Sequence, residues 1–347
     1  MNLRNETTMG SFLAMVIMAI LLEGLFHNIA VMAATRQEII EGAKKEGEIL
    51  YYTATDQSDS TRIVNKFMEK YPFIRARFFR STSVPLLAKI LAELRVGKLP
   101  ADVIQLGGVL GEIVGQHGGM GDYVSPELEG IPEGFKDPKG LWGSAYMQPC
   151  VIGYNTNLVK GSDIPKSYQD LLNPKWKGKK LAFETVQATW LIARIGIMGE
   201  EKALQFMQKL AEQELKMFSS KATTRTMLAA GEIPITINAT LDQMWELKKN
   251  GAPVDWVAVN PVQTMVFPIF TTKTAPHPNA AKLFVDYILS KEGQIFQRSL
   301  NRIPTRRDVP PDPPRLIQGM TFYPDKMEEV NRYDEYSRMF NKIFVKK

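Results

Sequence analysis

The sequence predicts an α/β fold with parallel sheets. Short apolar strands alternate with amphipathic helices, as in "GEILYYTA" followed by "STRIVNKFMEKY". The stretch "ADVIQLGG" has a continuous apolar run, which is typical of a parallel strand buried on both faces. The alternation begins again at "KKLAFET", so a second set of strand-helix units is expected.

The first set contains three strands, predicted at 47–54, 74–80 and 101–108. Two helices, predicted at 60–71 and 84–98, separate them, and the second has Gly97 near its C-terminal end. Each helix carries its apolar residues at helical spacing on one face. Each strand is therefore expected to be joined to the next by a helix that covers the sheet.

The second set begins with a strand at 179–185 and continues with helices at 189–199, 200–213 and 219–231. The stretch "IPITINATLDQMW" then reads as a strand that runs into a helix over Leu241–Lys249, with small residues at 238–240 between them. A long amphipathic helix is predicted over 280–300 and a last one over 333–344. Because no flexible linker separates the two sets, the chain is expected to cross between two lobes more than once.

The N-terminus predicts an exported protein. Residues 11–26 are mostly apolar, Glu23 interrupts them, and Ala33 and Ala34 suit signal peptidase, so 1–34 is predicted as a signal peptide. A membrane anchor is the alternative. A lipoprotein anchor is excluded because no cysteine lies near the cleavage site. The net charge of +6 is spread along the chain without a basic block, which argues against nucleic acid as a partner.

Catalytic and metal-binding chemistry find little support in the residues. Cys150 is the single cysteine, so neither an intramolecular disulfide nor a thiolate metal site is expected. The predicted mature chain has two histidines, His117 and His277, and both are expected to face solvent. No nucleophile elbow, phosphate-binding loop or dinucleotide fingerprint stands where a strand meets a helix. We therefore expect no enzyme activity, no cofactor and no metal.

Small, hydroxyl-bearing or glycine residues recur where predicted strands and helices meet. In a parallel sheet such junctions gather at the carboxyl edge, where ligands bind, and helix N-termini there offer N–H donors to anionic or oxygen-rich groups. Helix capping is the alternative role for each Ser or Thr. The candidate ligand-binding residues are Thr55, Asp56, Ser81, Thr82, Ser83, Gly107, Gly108, Thr185, Gln187, Ser220, Asn238, Ala239 and Thr240.

Several stretches together resemble the bacterial extracellular solute-binding proteins of the iron(III)-type family, which serve ABC transporters. They are "AKKEGEILYYTATD", "FMEKYPFIRARFFRSTS", "LPADVIQLG", "VIGYNTNLV", "PKSYQDLLNPKWKGKKLAF", "AAGEIPITIN", "KKNGAPVDWV" and "APHPNAAKLFVDYILSKEGQ". The resemblance covers nearly the whole predicted mature chain, and "VIGYNTNLV" with the stretch that follows it is the most specific part.

The resemblance implies two α/β lobes of the type II periplasmic-binding-protein fold that close on a ligand. Strands near Pro149–Asn155 and Asn260–Phe270 are expected to cross between them. The first lobe is predicted to comprise 35–150 and about 262–305, and the second 151–261 and about 306–347. The implied protein is a periplasmic monomer that captures a small solute and delivers it to an inner-membrane permease.

The chain departs from the iron-binding pattern of this family. Ala239 and Thr240 stand where iron-binding relatives have two adjacent tyrosines, Asp56 stands for a histidine, and Gly107 and Gly108 lie where a glutamate is expected. These departures favour a small oxygen-rich or anionic solute over ferric iron. The charged residues do not decide whether the solute is an anion or a cation. Arg80, Lys221 and Arg225 can assist an anion, whereas Asp56, Glu184 and Asp242 can select a cation such as a thiamine-like or polyamine-like solute.

Two other classes of protein remain as alternatives. One is a hydrolase or lyase built on the same fold, which the scarcity of histidine disfavours. The other is a sensory binding protein that reports solute occupancy to a membrane receptor. The residues name neither the solute nor its affinity.

Overall fold

A computed structural model describes residues 36–185 and 188–345 of the chain. The predicted signal peptide, 1–34, lies outside the described residues. Within them, none of the helices is long and apolar enough to cross a membrane. The first described element is a helix over 36–46, α1. The other helices are α2 (Gln57–Lys70), α3 (Ser83–Arg95), α4 (Leu110–Gln116), α5 (Ala188–Met198), α6 (Glu200–Ala211), α7 (Lys221–Ala229), α8 (Leu241–Lys249), α9 (Pro278–Leu289), α10 (Lys291–Ser299) and α11 (Tyr333–Phe344).

The described strands join into a continuous mixed sheet. They are β1 (Glu48–Thr53), β2 (Arg75–Arg80), β3 (Val103–Gln105), β4 (Gly143–Asn155), β5 (Leu181–Glu184), β6 (Lys216–Phe218), β7 (Ile235–Thr240), β8 (Val254–Val257), β9 (Val262–Thr271) and β10 (Phe322–Pro324). Their order is β2-β1-β3-β9-β4-β7-β5-β6, with β10 beside β9 and β8 beside β4.

The strand β4 belongs to both halves of this sheet. Its residues up to Pro149 pair with β9, whereas its residues from Cys150 onward pair with β7 and β8. All thirteen residues of β4 are buried. We call β1, β2, β3 and β9 with their helices the first lobe, and β5 to β8 with theirs the second lobe. β4 therefore connects the two lobes at its middle, within the region where crossing strands were predicted.

Parallel pairing joins the strands of the predicted strand-helix units: β1 pairs in parallel with β2 and β3, and β5 pairs in parallel with β6 and β7. Within the first lobe, however, β3 pairs antiparallel with β9. The strands that connect the lobes differ, because β4 pairs antiparallel with β9, β7 and β8. A wholly parallel sheet would need a crossover helix at every step. Antiparallel pairing lets β4 and β9 lie directly beside each other at the lobe boundary.

Each lobe has its own aromatic core. In the first lobe, the Phe67 ring lies 4.9 Å from the Phe284 ring. In the second lobe, Phe183 contacts Trp190 at 4.9 Å, and Phe340 of α11 at 5.5 Å. The C-terminal helix α11 therefore packs on the second lobe, because its apolar face covers β5 and α5.

The long helix predicted at 280–300 is wrong, because the chain forms two helices there. Ser290 has an extended backbone, and its hydroxyl accepts a hydrogen bond from the N–H of Gly293 at 3.1 Å. A Cβ atom at Gly293 would lie 1.9 Å from the carbonyl oxygen of Tyr287. The bend between α9 and α10 therefore requires glycine at this position.

Candidate functional site

The strand β7 and the helix α8 meet without a connecting loop. The sequence predicts small junction residues at 238–240, but β7 continues to Thr240 and α8 begins at the next residue. The reason is pairing with β4, in which Val151 lies opposite Ala239 and Cys150 lies opposite Thr240. The strand runs directly into the helix, as predicted, and the three small residues form the end of the strand.

A small cavity lies at the meeting point of β7 and α8. It is lined by Glu184, Lys221, Thr224, Arg225, Thr236, Ala239, Thr240, Gln243 and Met244. The hydroxyl oxygens of Thr236 and Thr240 are buried and have no hydrogen-bond partner among the described residues. Buried hydroxyls nearly always find a partner, so two unpaired ones beside one cavity indicate a place for a polar ligand group.

Thr240 takes the N-cap position of α8 but does not cap it. Its side chain accepts no hydrogen bond from the first turn of that helix in the described structure. Capping, the alternative role for a threonine at a helix start, is therefore not what this hydroxyl does. The N–H groups of the first turn and the hydroxyl of Thr240 lie together at the same helix end.

Side chains of both charges border this cavity. Lys221, the first residue of α7, donates a hydrogen bond through its Nζ atom to the carbonyl oxygen of Asn238. Arg225 follows one turn later on the same helix. Glu184, at the end of β5, is buried and also lines the cavity. The two cations favour an anionic group, while the carboxylate suits a hydroxyl donor.

A wider polar cleft lies beside the small cavity and shares Arg225 and Gln243 with it. Its volume is about 290 Å³, against about 10 Å³ for the small cavity, which has room for roughly one water molecule. The cleft is lined by Asp56, Ser58, Asp59, Arg62, Arg225, Asp242, Gln243, Glu246, Leu300, Asn301 and Arg302. These residues come from both lobes, so the cleft is an interlobe space that adjoins the small cavity.

Arg302 stands at the centre of this interlobe cleft. Its Nη2 atom lies 2.9 Å from Asp59 of α2, and its Nη1 atom lies 3.5 Å from Asp242 of α8. Asp56 lies 3.5 Å from the same guanidinium, and the ring of Tyr146 lies 4.8 Å from it. Burial by itself lowers the pKa of Arg302, but Tyr146, Asp242 and Asp59 outweigh burial, so the pKa is raised and the side chain stays charged.

This arginine changes the interpretation of the acidic candidates. Asp242 accepts a second hydrogen bond through the same oxygen, from Gln148 of β4 at 2.8 Å. Asp56 is also 3.7 Å from Arg80. Two of the three carboxylates that the sequence offered for a cationic solute are therefore already paired with arginines of the chain. Glu184 is the third carboxylate of that set, and it lines the small cavity.

Two of the first-lobe loops that hold predicted residues are in contact. A Cβ atom built at Gly107 would lie 3.4 Å from the hydroxyl of Ser83, so the loops after β2 and β3 are in contact. Gly108 has a φ angle of +57°, and it lies beside other residues than Gly107 does. A Cβ atom there would lie 3.3 Å from Asp325 and 3.8 Å from Thr189 of α5. Gly108 therefore lies at the contact between the two lobes.

Three predicted residues hold the surrounding structure. Thr55 is buried and donates its hydroxyl to Gln105 at 3.0 Å. Ser220 is exposed and caps α7, accepting a hydrogen bond from the N–H of Thr223 at 3.2 Å. Thr185 bonds through its N–H to the carbonyl oxygen of Phe218 at 2.9 Å. The roles of these groups in the structure are accounted for without a ligand.

Two further predicted residues lie at helix starts. Thr82 is the N-cap residue of α3 and Asp56 that of α2, and neither side chain caps its helix within the described residues. Ser81 bonds through its N–H to the carbonyl oxygen of Thr53 at 3.3 Å. Gln187 lies outside the described residues.

Asp325 is a buried carboxyl group that the sequence did not single out. Its Oδ1 atom accepts a hydrogen bond from Gln263 of β9 at 3.2 Å, and its Oδ2 atom has no hydrogen-bond partner in the described part of the chain. Burial raises the pKa of this carboxyl to about 7, against the opposing effects of Gln263 and Lys221. Gln263 also donates to the carbonyl oxygen of Thr189 at 3.3 Å, so this group links β9 to α5.

Metal ligands are not assembled in the described residues, where no group of three or more His, Cys, Asp or Glu side chains is placed to hold an ion. His117 is exposed, as expected. His277 is not freely exposed, because its Nδ1 atom lies 3.0 Å from the buried Asp102. Cys150 is buried in β4, and burial raises the pKa of its thiol to about 12.

Sequence reasoning missed Thr236, Arg302 and Asp325. A signal for Thr236 was present, because it lies on the polar face of a strand whose other face holds Ile235 and Ile237. Arg302 follows the predicted long helix, and its partner Asp59 is 243 residues away. Asp325 follows a proline-rich stretch without regular periodicity. No signal in the sequence places Arg302 in the cleft or Asp325 beside Gly108.

Comparison with known proteins fits this architecture. The model of a protein family described as bacterial extracellular solute-binding protein matches residues 101–326. The chain belongs to this family. The chain is 28% identical to an uncharacterized protein of Haemophilus influenzae. This similarity covers 73% of this chain and 75% of that protein. Iron uptake protein A2 of Synechocystis is 25% identical over 62% of this chain and 68% of its own length.

Solved structures of solute-binding proteins share the fold. The periplasmic binding protein AfuA from Actinobacillus pleuropneumoniae, with fructose-6-phosphate bound, has a TM-score of 0.75 at 24% identity, over 87% of this chain and 99% of that one. Iron-bound HitA from Pseudomonas aeruginosa has a TM-score of 0.74 at 21% identity, over 84% of this chain and 99% of that one. The protein therefore has the two-lobed α/β periplasmic-binding-protein fold.

Proposed function

We propose that this solute-binding protein is the periplasmic component of an ABC transporter and captures a small, oxygen-rich, anionic solute between its lobes. The observation that supports this most directly is the pair of buried, unpartnered hydroxyls of Thr236 and Thr240. They lie in a cavity that Lys221 and Arg225 also line. Hydroxyls and cations together suit a solute with negatively charged oxygens.

The position of the cavity supports capture by lobe closure. The adjoining cleft takes Asp56 and Arg302 from one side, and Arg225 and Gln243 from the other. Its volume of about 290 Å³ is near the lower end for small-molecule sites. A solute held there contacts both lobes, and closure then removes it from water.

The lobe boundaries predicted from the sequence form part of this proposal. The first lobe comprises 35–150 and about 262–305, and the second comprises 151–261 and about 306–347. The change of pairing partner along β4, between Pro149 and Cys150, supports a hinge at that point. Export to the periplasm by cleavage of 1–34, a monomeric state and delivery to an inner-membrane permease complete the proposal.

Ferric iron is the second candidate, since one relative is named an iron uptake protein and one similar structure is iron-bound. Ala239 and Thr240 provide no phenolate, and Asp56 and Asp242 are paired with Arg302. These contacts favour the anion, a class that includes the fructose-6-phosphate of another similar structure. A sensory role with a membrane receptor involves the same site, and a gene for a permease beside this one would favour transport.

Native mass spectrometry of the purified protein, followed by calorimetric titration, tests the solute class. The probes are fructose-6-phosphate, inorganic phosphate and ferric citrate. We expect an anionic co-purified molecule, or binding of a phosphate probe that weakens about tenfold or more in Lys221→Gln, because a charge-assisted hydrogen bond is lost. Lys209→Gln, on the exposed face of α6, is the matched control. Tight binding of ferric ion together with no binding of either phosphate probe would refute the anionic solute.

A further inference from the structure

The ion pairs of Arg302 cross from one lobe to the other. The residue follows α10 in the first lobe, and Ile303 beside it forms a bridge with Met147 of β4. One arm of the guanidinium reaches Asp59 on α2, in the same lobe. The other arm reaches Asp242, in the first turn of α8 of the second lobe. A single side chain therefore joins the two faces of the cleft.

The partners of Arg302 are removed from water in this arrangement. The side chain of Arg302 is 8% exposed, that of Asp242 is 4% exposed and that of Asp59 is 16% exposed. Carboxylates buried to this extent are tolerated only when a cation and hydrogen bonds compensate them. If Arg302 is removed, separation of the lobes lets water hydrate both carboxylates. The loss of the arginine therefore favours the open arrangement.

We propose that Arg302 is a clasp that stabilises the closed arrangement of the lobes, and thereby increases solute affinity without having to contact the solute. The clasp acts by differential stability, because its bonds to Asp59 and Asp242 exist together only when the lobes approach. A protein that is partly closed before binding needs less of the binding free energy for closure. The inference rests on the proposed function only for its effect on affinity.

The clasp also positions the binding site. Asp242 lies two residues after Thr240, whose hydroxyl faces the small cavity. Gln148 of β4 holds the same oxygen of Asp242 at 2.8 Å. Arg302 and Gln148 together therefore fix the N-terminal turn of α8 against the strand that connects the lobes.

Small-angle X-ray scattering of the solute-free protein tests the clasp, comparing Arg302→Met with the parent chain. We expect a larger radius of gyration in the variant and, where a solute is known, about tenfold weaker affinity from faster release. Arg306→Met is the matched control. Arg306 is 14% exposed and pairs with Glu127 and Asp308 at 2.8 Å, and α7 and α8 take no part in these pairs.

Each outcome of this comparison decides the proposal. A larger radius in Arg302→Met, but not in Arg306→Met, supports the clasp even if no anionic solute is ever found. Weaker affinity with an unchanged radius means that Arg302 acts by contacting the solute, and overturns the clasp. If Arg302→Met does not fold, Asp242→Asn removes the charged partner in the second lobe and keeps the shape of the side chain, and an unchanged radius in that variant overturns the proposal.

Discussion

The side-chain amide of Gln263 donates a hydrogen bond to Asp325 Oδ1 at 3.2 Å, while the second oxygen of that carboxyl has no partner in the described residues. The group lies between Gly108 of the first lobe and Thr189 of the second. Charged groups near it are Lys221 of α7, whose charge lowers the pKa of Asp325, and the neighbouring Lys326. The charge of Asp325 also acts on the Cys150 thiol of β4 and raises the pKa of that thiol.

Because of this carboxyl group, we expect the stability of the folded protein to fall as pH rises. Burial raises the pKa of Asp325 from 3.8 to about 7, so between these values the folded protein binds more protons than the unfolded chain. The free energy of unfolding therefore falls by about 3 kcal/mol between pH 5 and pH 8 through this group. Asp325→Asn removes this loss. Urea unfolding at both pH values measures it, with the exposed Asp122→Asn as control, and an equal pH dependence in both variants would contradict the assignment.

The two buried hydroxyls give a prediction of affinity. Thr240→Val and Thr236→Val keep the side-chain shape and remove only the oxygen. We expect each variant to bind the solute 10- to 150-fold more weakly, because a hydrogen bond to a charged ligand group contributes roughly 1.5–3 kcal/mol. The melting temperature of the solute-free protein should stay unchanged or rise, since neither hydroxyl has a partner to lose. Calorimetric titration beside melting curves measures both effects.

Ser290→Ala is the matched control for these threonines. Ser290 caps α10, and its removal should cost about 1 kcal/mol of stability without changing affinity. Unchanged affinity in both valine variants would show that the solute contacts lie elsewhere.

Ser83, in the first lobe, is also predicted to bind the solute through its hydroxyl. Its hydroxyl lies close to Gly107, where two loops meet. Ser83→Ala should weaken solute binding about tenfold or more, through the loss of one hydrogen bond, while the solute-free protein keeps its melting temperature. A lowered melting temperature with unchanged affinity would instead indicate a purely structural hydroxyl.

Ser220 is expected to behave in the opposite way. Its hydroxyl accepts a hydrogen bond from the N–H of Thr223 and lies at the exposed start of α7. Ser220→Ala should lower the free energy of unfolding by about 1 kcal/mol and leave solute affinity nearly unchanged. Ser220→Asp restores a capping oxygen, and chemical denaturation of the two variants checks the difference. A large loss of affinity in Ser220→Ala would show that this residue takes part in solute binding.

Iron binding by phenolate is predicted not to occur in the cleft. Tyr154 is buried in β4, and Tyr51 donates its hydroxyl to Gln105 within the first lobe. Burial raises the pKa of both phenols, which opposes their conversion to phenolate ligands. Titration with ferric citrate should therefore produce no visible charge-transfer band. Appearance of such a band, and its loss in Tyr154→Phe, would refute this prediction.

Local patterns predicted most of the helices and strands. The helix α8 runs over Leu241–Lys249 as expected, because its apolar spacing is regular and its start is marked by small residues. The break at Ser290 was missed, since apolar spacing continues through it on both sides. A serine three residues before Gly293 was the available signal, and its meaning depends on the close approach of Tyr287.

The site was predictable where it depends on local sequence. Thr240 was predicted to bind the solute, which stays a prediction, and it lines the small cavity because it stands where a strand runs into a helix. Its pairing with Cys150 was not predictable, since antiparallel contact with β4 depends on the course of the whole chain. The same holds for Arg302, which meets Asp242 across 60 residues of sequence. An ion pair between lobes produces no periodic pattern in the sequence from which it could be predicted.

The burial of Cys150 has a practical consequence. This single cysteine lies in the middle of β4, and a thiol with a pKa of about 12 is almost wholly protonated at neutral pH. Maleimide dyes react with thiolates, so the natural cysteine should stay unmodified while an engineered surface cysteine is coupled. The protein therefore offers a scaffold for a fluorescent biosensor, in which one dye at the rim of the cleft reports solute capture without prior removal of the native thiol.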